Sequence, residues 1–275
     1  EERSLIRRRR TVDTPCAPRL TVDGRDMLAF CSNDYLGLAS HPRIVAALKE
    51  GADLYGAGSG ASHLISGHSR AHAQLEERLA AFVGANLENA RALYFCTGYM
   101  ANLAVLTALS AGDPDAEIFS EALNHASLID GSRLAKADVH ITPHADPAAL
   151  EERVATFADR PTIVVIDSVF SMDGDVADLA AVADTCRRHG SLLVIDEAHA
   201  VLGPDPAPGF FDGVEVVRVG TLSKTLGALG GFAACSERVA DLLVNAARSA
   251  IFTTGLSPAD AGAAGRARRL HPALL

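Results

Sequence analysis

Two kinds of apolar pattern alternate along the chain. Short, nearly continuous apolar runs at 92–96, 118–119, 139–141, 162–166, 192–195, 214–219 and 231–235 read as strands, most of them buried on both faces. Between them, 100–110, 126–134, 147–157 and 176–188 read as helices, the last closed by Gly190. Strands of that type separated by helices predict an α/β fold with a mainly parallel central sheet and helices on both faces. Upstream, 27–30 predicts a short strand, and Pro42 opens a helix with Ile44, Val45, Leu48 and Leu54 on its apolar positions. Ala71, Leu75, Leu79 and Phe82 mark a further amphipathic helix, which Gly84 ends. Between those two helices, 56–67 (GAGSGASHLISG) is too rich in glycine for helix or strand.

Composition narrows the class. Of 275 residues, 48% are hydrophobic and 21% charged, a globular balance that excludes wholesale disorder. The net charge of −9 repels phosphodiester backbones, so nucleic acid is not an expected partner. No apolar run approaches the ~20 residues that span a bilayer, so no membrane association is expected. The opening residues lack the pattern of a signal peptide, and the five cysteines (16, 31, 96, 186, 235) contain no CxxC. A cytoplasmic protein with reduced thiols and no zinc framework is the expectation.

In open α/β sheets ligands bind beyond the carboxyl ends of the strands, which directs attention to the residues after each one. After 92–96 comes Thr97-Gly98-Tyr99, a turn into a helix whose free amides suit a phosphate but also suit an ordinary connection. After 192–195 comes Asp196-Glu197-Ala198-His199. These letters also occur in ATP-dependent helicases, but that reading needs a Gly-Lys phosphate loop, and the chain has no Gly-Lys pair. Lys224 is one of only three lysines, with Lys49 and Lys136, and has no charged residue within five positions on either side. An amine in such company is desolvated, which lowers its pKa and makes it nucleophilic; imine chemistry, phosphate binding and a structural role all remain open for it. The segment 167–175 (DSVFSMDGD) reads as an acidic turn whose spacing does not match an EF-hand, and His125 precedes a helix, as structural histidines often do.

Taken together and in order, these pieces resemble the α-oxoamine synthase family of fold-type I pyridoxal 5′-phosphate (PLP) enzymes. The motifs are 32–38 (SNDYLGL), 56–67, 124–128 (NHASL), 169–175 (VFSMDGD), 196–199 (DEAH) and 221–224 (TLSK), spread over essentially the whole chain. The resemblance implies a PLP-binding large domain over 33–257, preceded by an N-terminal segment, 1–32, and followed at 258–275 by the start of a C-terminal domain. It implies that Lys224 carries PLP as an imine and that Asp196 pairs with the ring nitrogen. His125 would stack on the ring and help position substrate, Ser171 and His199 would hydrogen-bond its 3-oxygen, and Gly98, Tyr99 and Thr221 would hold the phosphate. Arg7, matching a family position that binds substrate carboxylate, and Asn33 join the implied substrate site. The implied reaction is a decarboxylative condensation of an amino acid with an acyl-CoA or acyl-carrier-protein thioester. In the best-matching branch these are L-alanine and a pimeloyl thioester, as in biotin biosynthesis. The resemblance further implies a homodimer, with 56–67 near the interface. Two alternatives stand beside it: a family member using glycine or serine with another acyl-CoA, and a non-catalytic fold-type I subunit, against which the retained Lys224 argues.

The chain departs from the family in two places. After His199 the family runs into a Gly-Thr-Gly-like turn, whereas here 200–203 reads AVLG and a proline-rich stretch follows to 208. The family also continues beyond the point matching Leu275 into a domain that closes over the site. The expectation is therefore that the 275-residue polypeptide alone binds PLP weakly and turns over slowly.

Overall fold

The computed structural model describes residues 6–113, 115–200 and 206–270. The departure noted after His199 falls, from 201 to 205, outside the described residues. An N-terminal hairpin of β1 (Arg19–Val22) and β2 (Arg25–Leu28) forms its own two-stranded sheet. The single strand expected at 27–30 thus begins earlier and has a partner. Asp23 and Gly24, with φ of 49° and 72°, make the two-residue turn that matches strand twist in a hairpin.

The central sheet comprises β3 (Arg91–Phe95), β4 (Glu117–Glu121), β5 (Asp138–Thr142), β6 (Thr162–Asp167), β7 (Leu192–Asp196), β8 (Val216–Thr221) and β9 (Gly231–Cys235). Its order is β3-β9-β8-β7-β6-β4-β5, and the run from β8 to β5 is parallel. β9 runs antiparallel to both β8 and β3. The link 222–230 is too short for a crossover, so the chain can only return beside β8 in the opposite direction.

Alternate residues of the strands feed opposite layers. On one face Ile163, Val165, Val194 and Val217 pack with the helices α3 (Gly98–Leu109), α4 (Ala126–Leu134) and α7 (Glu237–Ala246). On the other, Val164, Ile166, Leu193 and Ile195 pack with α5 (Pro147–Ala155) and α6 (Leu179–His189). A third cluster joins α1 (Pro42–Tyr55), α2 (Arg70–Val83) and α9 (Pro258–Leu270) to β3 and β9 through Leu75, Leu79, Tyr94, Phe232 and Ala264. A short helix, α8 (Arg248–Ile251), links α7 to the approach to α9. The sequence pattern did not separate α7, α8 or α9 from their surroundings, although Ser236 caps α7 through its side chain. Among the described residues no helix is long and apolar enough to cross a membrane.

The glycine-rich stretch is not wholly irregular. His63–Gly67 forms one π-helical turn, closed by the Gly67 amide on Ser62 O at 2.9 Å. A Cβ at Gly67 would lie 1.9 Å from Ala61 O, so only glycine fits.

Candidate active site

The acidic residues at the ends of β6 and β7 are register partners: Asp167 lies beside Asp196, and both are buried. Two carboxylates taken out of water side by side need compensation. Asn102, buried on α3, donates from Nδ2 to Asp196 Oδ2 at 2.6 Å, and the Ala198 amide donates to Asp196 Oδ1 at 2.9 Å. Asp167 accepts from the His125 amide at 2.6 Å, yet burial, followed by the Asp196 charge, pushes its carboxyl up to about 7. Asn124 staples the neighbouring strands, donating to Val165 O and accepting from the Asp167 amide.

His125 is the N-cap of α4, its Nδ1 accepting from the Ser127 amide at 3.2 Å. Ser127 Oγ lies 2.7 Å from that same Nδ1 and accepts from Asn102 Nδ2 at 2.8 Å. Asn102 thus ties His125, through Ser127, to Asp196. With Nδ1 as the acceptor, the imidazole proton sits on Nε2.

Lys224 follows β8, and its Nζ is 2.8 Å from His199 Nε2. The other ring nitrogen, Nδ1, is 2.8 Å from the Tyr35 hydroxyl, which also donates to Asn33 Oδ1 at 3.3 Å. In this arrangement His199 donates from Nδ1 to Tyr35 and accepts from Lys224 at Nε2. Burial lowers the Lys224 amine from its ordinary range, and Asp196 and Asp167 oppose that shift. Burial, and then the Lys224 charge, lower His199 as well, so it stays neutral at physiological pH.

The third part of the site is the N-terminus of α3. Thr97 caps it, its hydroxyl accepting from the Met100 amide at 3.1 Å, which leaves the amides of Gly98 and Tyr99 at the opening of the helix. Gly98 packs on Thr221 of β8: a Cβ there would be 3.4 Å from Thr221 Cβ. Gly231 lets β9 approach even closer, since a Cβ would meet Gly98 N at 2.4 Å. Thr221 Oγ1 bonds Gly230 O and lies 2.8 Å from Ser223 Oγ.

Of the residues expected from the sequence, Lys224, His199 and Asn33 form one linked group, Asp196 and His125 a second, and Gly98 with Thr221 a third. The groups gather at the edge of the sheet formed by the carboxyl ends of β3, β4, β7 and β8, with Asn33 joined to it through Tyr35. Tyr99 is half-exposed, with its hydroxyl on Asp130 Oδ2 at 2.5 Å. Ser171 is exposed in the turn after β6, and Arg7 is exposed near the chain start. Among the described residues no hydrogen bond joins either to the linked groups. Tyr35, Asn102, Ser127 and Asp167 were not singled out for roles. Asn102 carried a signal, a lone amide within the apolar run of α3, where burial demands a partner. Glu197, next to Asp196, is structural: both of its oxygens accept from Arg218 at 2.9 Å inside the core.

This donor set fits PLP. An amine held weakly basic, an acid fixed by an amide and a helix N-terminus flanked by hydroxyls meet the needs of its aldehyde, ring nitrogen and phosphate. The family described as aminotransferase class I and II matches residues 25–271. An 8-amino-7-oxononanoate synthase of Bordetella petrii is 59% identical over 266 residues, 94% of this chain and 66% of its own length. A protein of the same name from Janthinobacterium sp. (strain Marseille) is 54% identical over 289 residues, covering 98% of this chain and 73% of its own. Among solved structures, a serine palmitoyltransferase from S. paucimobilis with a bound PLP–myriocin aldimine aligns at TM-score 0.87 and 28% identity, over 96% of this chain and 67% of that one. An 8-amino-7-oxononanoate synthase from Francisella tularensis aligns at TM-score 0.67 and 28% identity, over 86% and 66%. The chain therefore spans roughly two thirds to three quarters of the length of these relatives.

Proposed function

The chain belongs to the aminotransferase class I and II family, and on that footing we propose that it carries the PLP-binding part of an α-oxoamine synthase. The reaction is the condensation of L-alanine with a pimeloyl thioester, on CoA or acyl-carrier protein, releasing carbon dioxide and thiol and giving 8-amino-7-oxononanoate. The observation that carries this reading is the pairing of Lys224 with His199 beside Asp196, in a chain 50–59% identical to relatives bearing that name.

Bound PLP would supply an electron sink for the pair left on the substrate carbon when a bond beside its amine breaks. The remaining chemistry belongs to the chain. Lys224 Nζ, made less basic by burial, is the group that holds the cofactor and, when free of it, takes the α-proton of the amino acid. His199 Nε2 accepts from that amine and keeps it aimed, while Tyr35 fixes the His199 tautomer. Asp196 sets a negative charge where the ring nitrogen must stay protonated, and Asn102 prevents that carboxylate from rotating. His125 would stack on the ring and help position the substrate. The amides of Gly98 and Tyr99, with the Thr221 hydroxyl, hold the phosphate. Ser171 would hydrogen-bond the 3-oxygen, joined by His199 once its Nε2 is free of Lys224 and carries the proton, and Arg7 and Asn33 would contact the substrate.

The working unit in this reading is a homodimer. Leu64 and Ile65, exposed on the 56–67 segment, are apolar residues that a second copy would cover, and sedimentation gives the mass directly. The activity is tested by following carbon dioxide and thiol release from pimeloyl thioester with alanine, glycine or serine. Release with alanine supports the assignment. Release with glycine or serine alone assigns the chain to another branch, and no release with any pair contradicts the condensation.

A further inference from the structure

We propose that His63, His68 and His72 form a second site, separate from the Lys224 cluster, for a divalent transition-metal ion that favours imidazole, such as Ni2+, Cu2+ or Zn2+. Three of the ten histidines fall within ten residues, around the π-helical turn and the start of α2. The turn folds the chain back so that one ligand atom from each of the three lies within 4.8 Å of the others.

The nitrogens lie close enough to converge on one ion. His63 Nδ1 and His68 Nδ1 are 2.9 Å apart. Two nitrogens bound at right angles to one metal, each at ~2.0–2.1 Å, are separated by about that distance. Two such lone pairs cannot face one another without a proton or a cation between them. His72 directs Nε2–H to Leu256 O at 2.7 Å, which leaves Nδ1 as its donor atom, now shared with the Ser69 amide and hydroxyl. A ligating histidine commonly anchors its second nitrogen on a carbonyl or a carboxylate in this way. His68 Nε2 faces the Glu76 carboxylate at 3.7 Å. Closing the set requires rotation of His63 and His68, the two members that are not fully buried.

A carboxylate stands beside the three histidines. Glu76, one turn beyond His72 on α2 and partly buried, has its other oxygen taken by the Tyr94 amide. A cation alongside would gain that carboxylate as a counter-charge. Arg91 shares the cavity, but its guanidinium is paired with Asp241 at 2.6 Å. The cavity, about 280 Å³ and lined by His63, Leu64, His68 and Glu76, adjoins the three histidines.

The test uses metal alone. The purified protein is titrated with Ni2+ or Zn2+ against a chromophoric chelator, and with Cu2+ by electron paramagnetic resonance. The expected result is one ion per chain, a copper spectrum split by at least two nitrogens, and a rise in melting temperature with Ni2+. His63→Gln and His68→Gln each weaken binding at least ~10-fold, whereas His189→Gln stays within twofold. His63 opens the π-helical turn and His68 is its C-cap. Should either substitution disturb folding, the copper spectrum of the unaltered protein still decides. Fewer than two nitrogens, binding unchanged in both loop variants, or loss in His189→Gln would each overturn the site.

Discussion

Asn102→Leu separates the fold from the site more cleanly than any other substitution. The amide is fully buried and donates twice, to Asp196 at 2.6 Å and to Ser127 at 2.8 Å, while its own Oδ1 has no partner. Removing the bond to the carboxylate costs ~1.5–3 kcal/mol and the neutral bond ~1 kcal/mol, while deleting the orphaned carbonyl returns ~1–3 kcal/mol. At the midpoints of those ranges the net loss of folding stability is about 1 kcal/mol, a fall in melting temperature of a few degrees for a chain of this size. The loss at the cofactor site is not offset, because Asp196 keeps only the Ala198 amide. An interaction of ~1.5–3 kcal/mol corresponds to a roughly 10–100-fold change in an equilibrium constant. Titrating PLP into the folded variant and following its absorbance should show the dissociation constant raised by that factor, with circular dichroism unchanged. Affinity within twofold of the parent would refute the positioning role of Asn102.

Three further outcomes follow from the same geometry. Asp167 ionises near 4 when unfolded but at about 7 when folded, so the folded state holds an extra proton between those values and stability falls as pH rises across that window. Asp167→Asn removes the penalty, so in denaturant melts its advantage over the parent should open from pH 4 and level off above pH 7, reaching about 3–4 kcal/mol; a pH-independent gap contradicts the assignment. Gly231→Ala drives a Cβ into the start of α3, which should cost ~1–3 kcal/mol in stability and abolish tight PLP binding in the same titration. Arg218→Met leaves Glu197 buried without its bidentate partner and should lower unfolding free energy by ~3–5 kcal/mol in urea melts.

Strand and helix alternation was legible because β6 and β7 are buried almost throughout and so carry the unbroken apolar runs 162–166 and 192–195, while β8 is interrupted by the buried Arg218. The antiparallel return of β9 was not, since its five residues read the same in either direction and only the length of the link decides. Helix α9 lacks a large apolar stripe: it packs on α1 and α2 through Ala261, Ala264 and Ala267, small residues that leave little periodic signal. Within the site, Lys224 and Asp196 stood out as charges in apolar surroundings. Asn102 and Ser127 act from different helices, 25 residues apart, and their meeting is a product of the tertiary fold. Tyr35 meets His199 across 164 residues for the same reason.

The central claim is that the Lys224 amine holds the cofactor. Incubating the protein with PLP, reducing with borohydride and mapping the peptides tests it directly. The account predicts the phosphopyridoxyl group on Lys224 alone; its recovery on Lys49 or Lys136, with Lys224 unmodified, would contradict it.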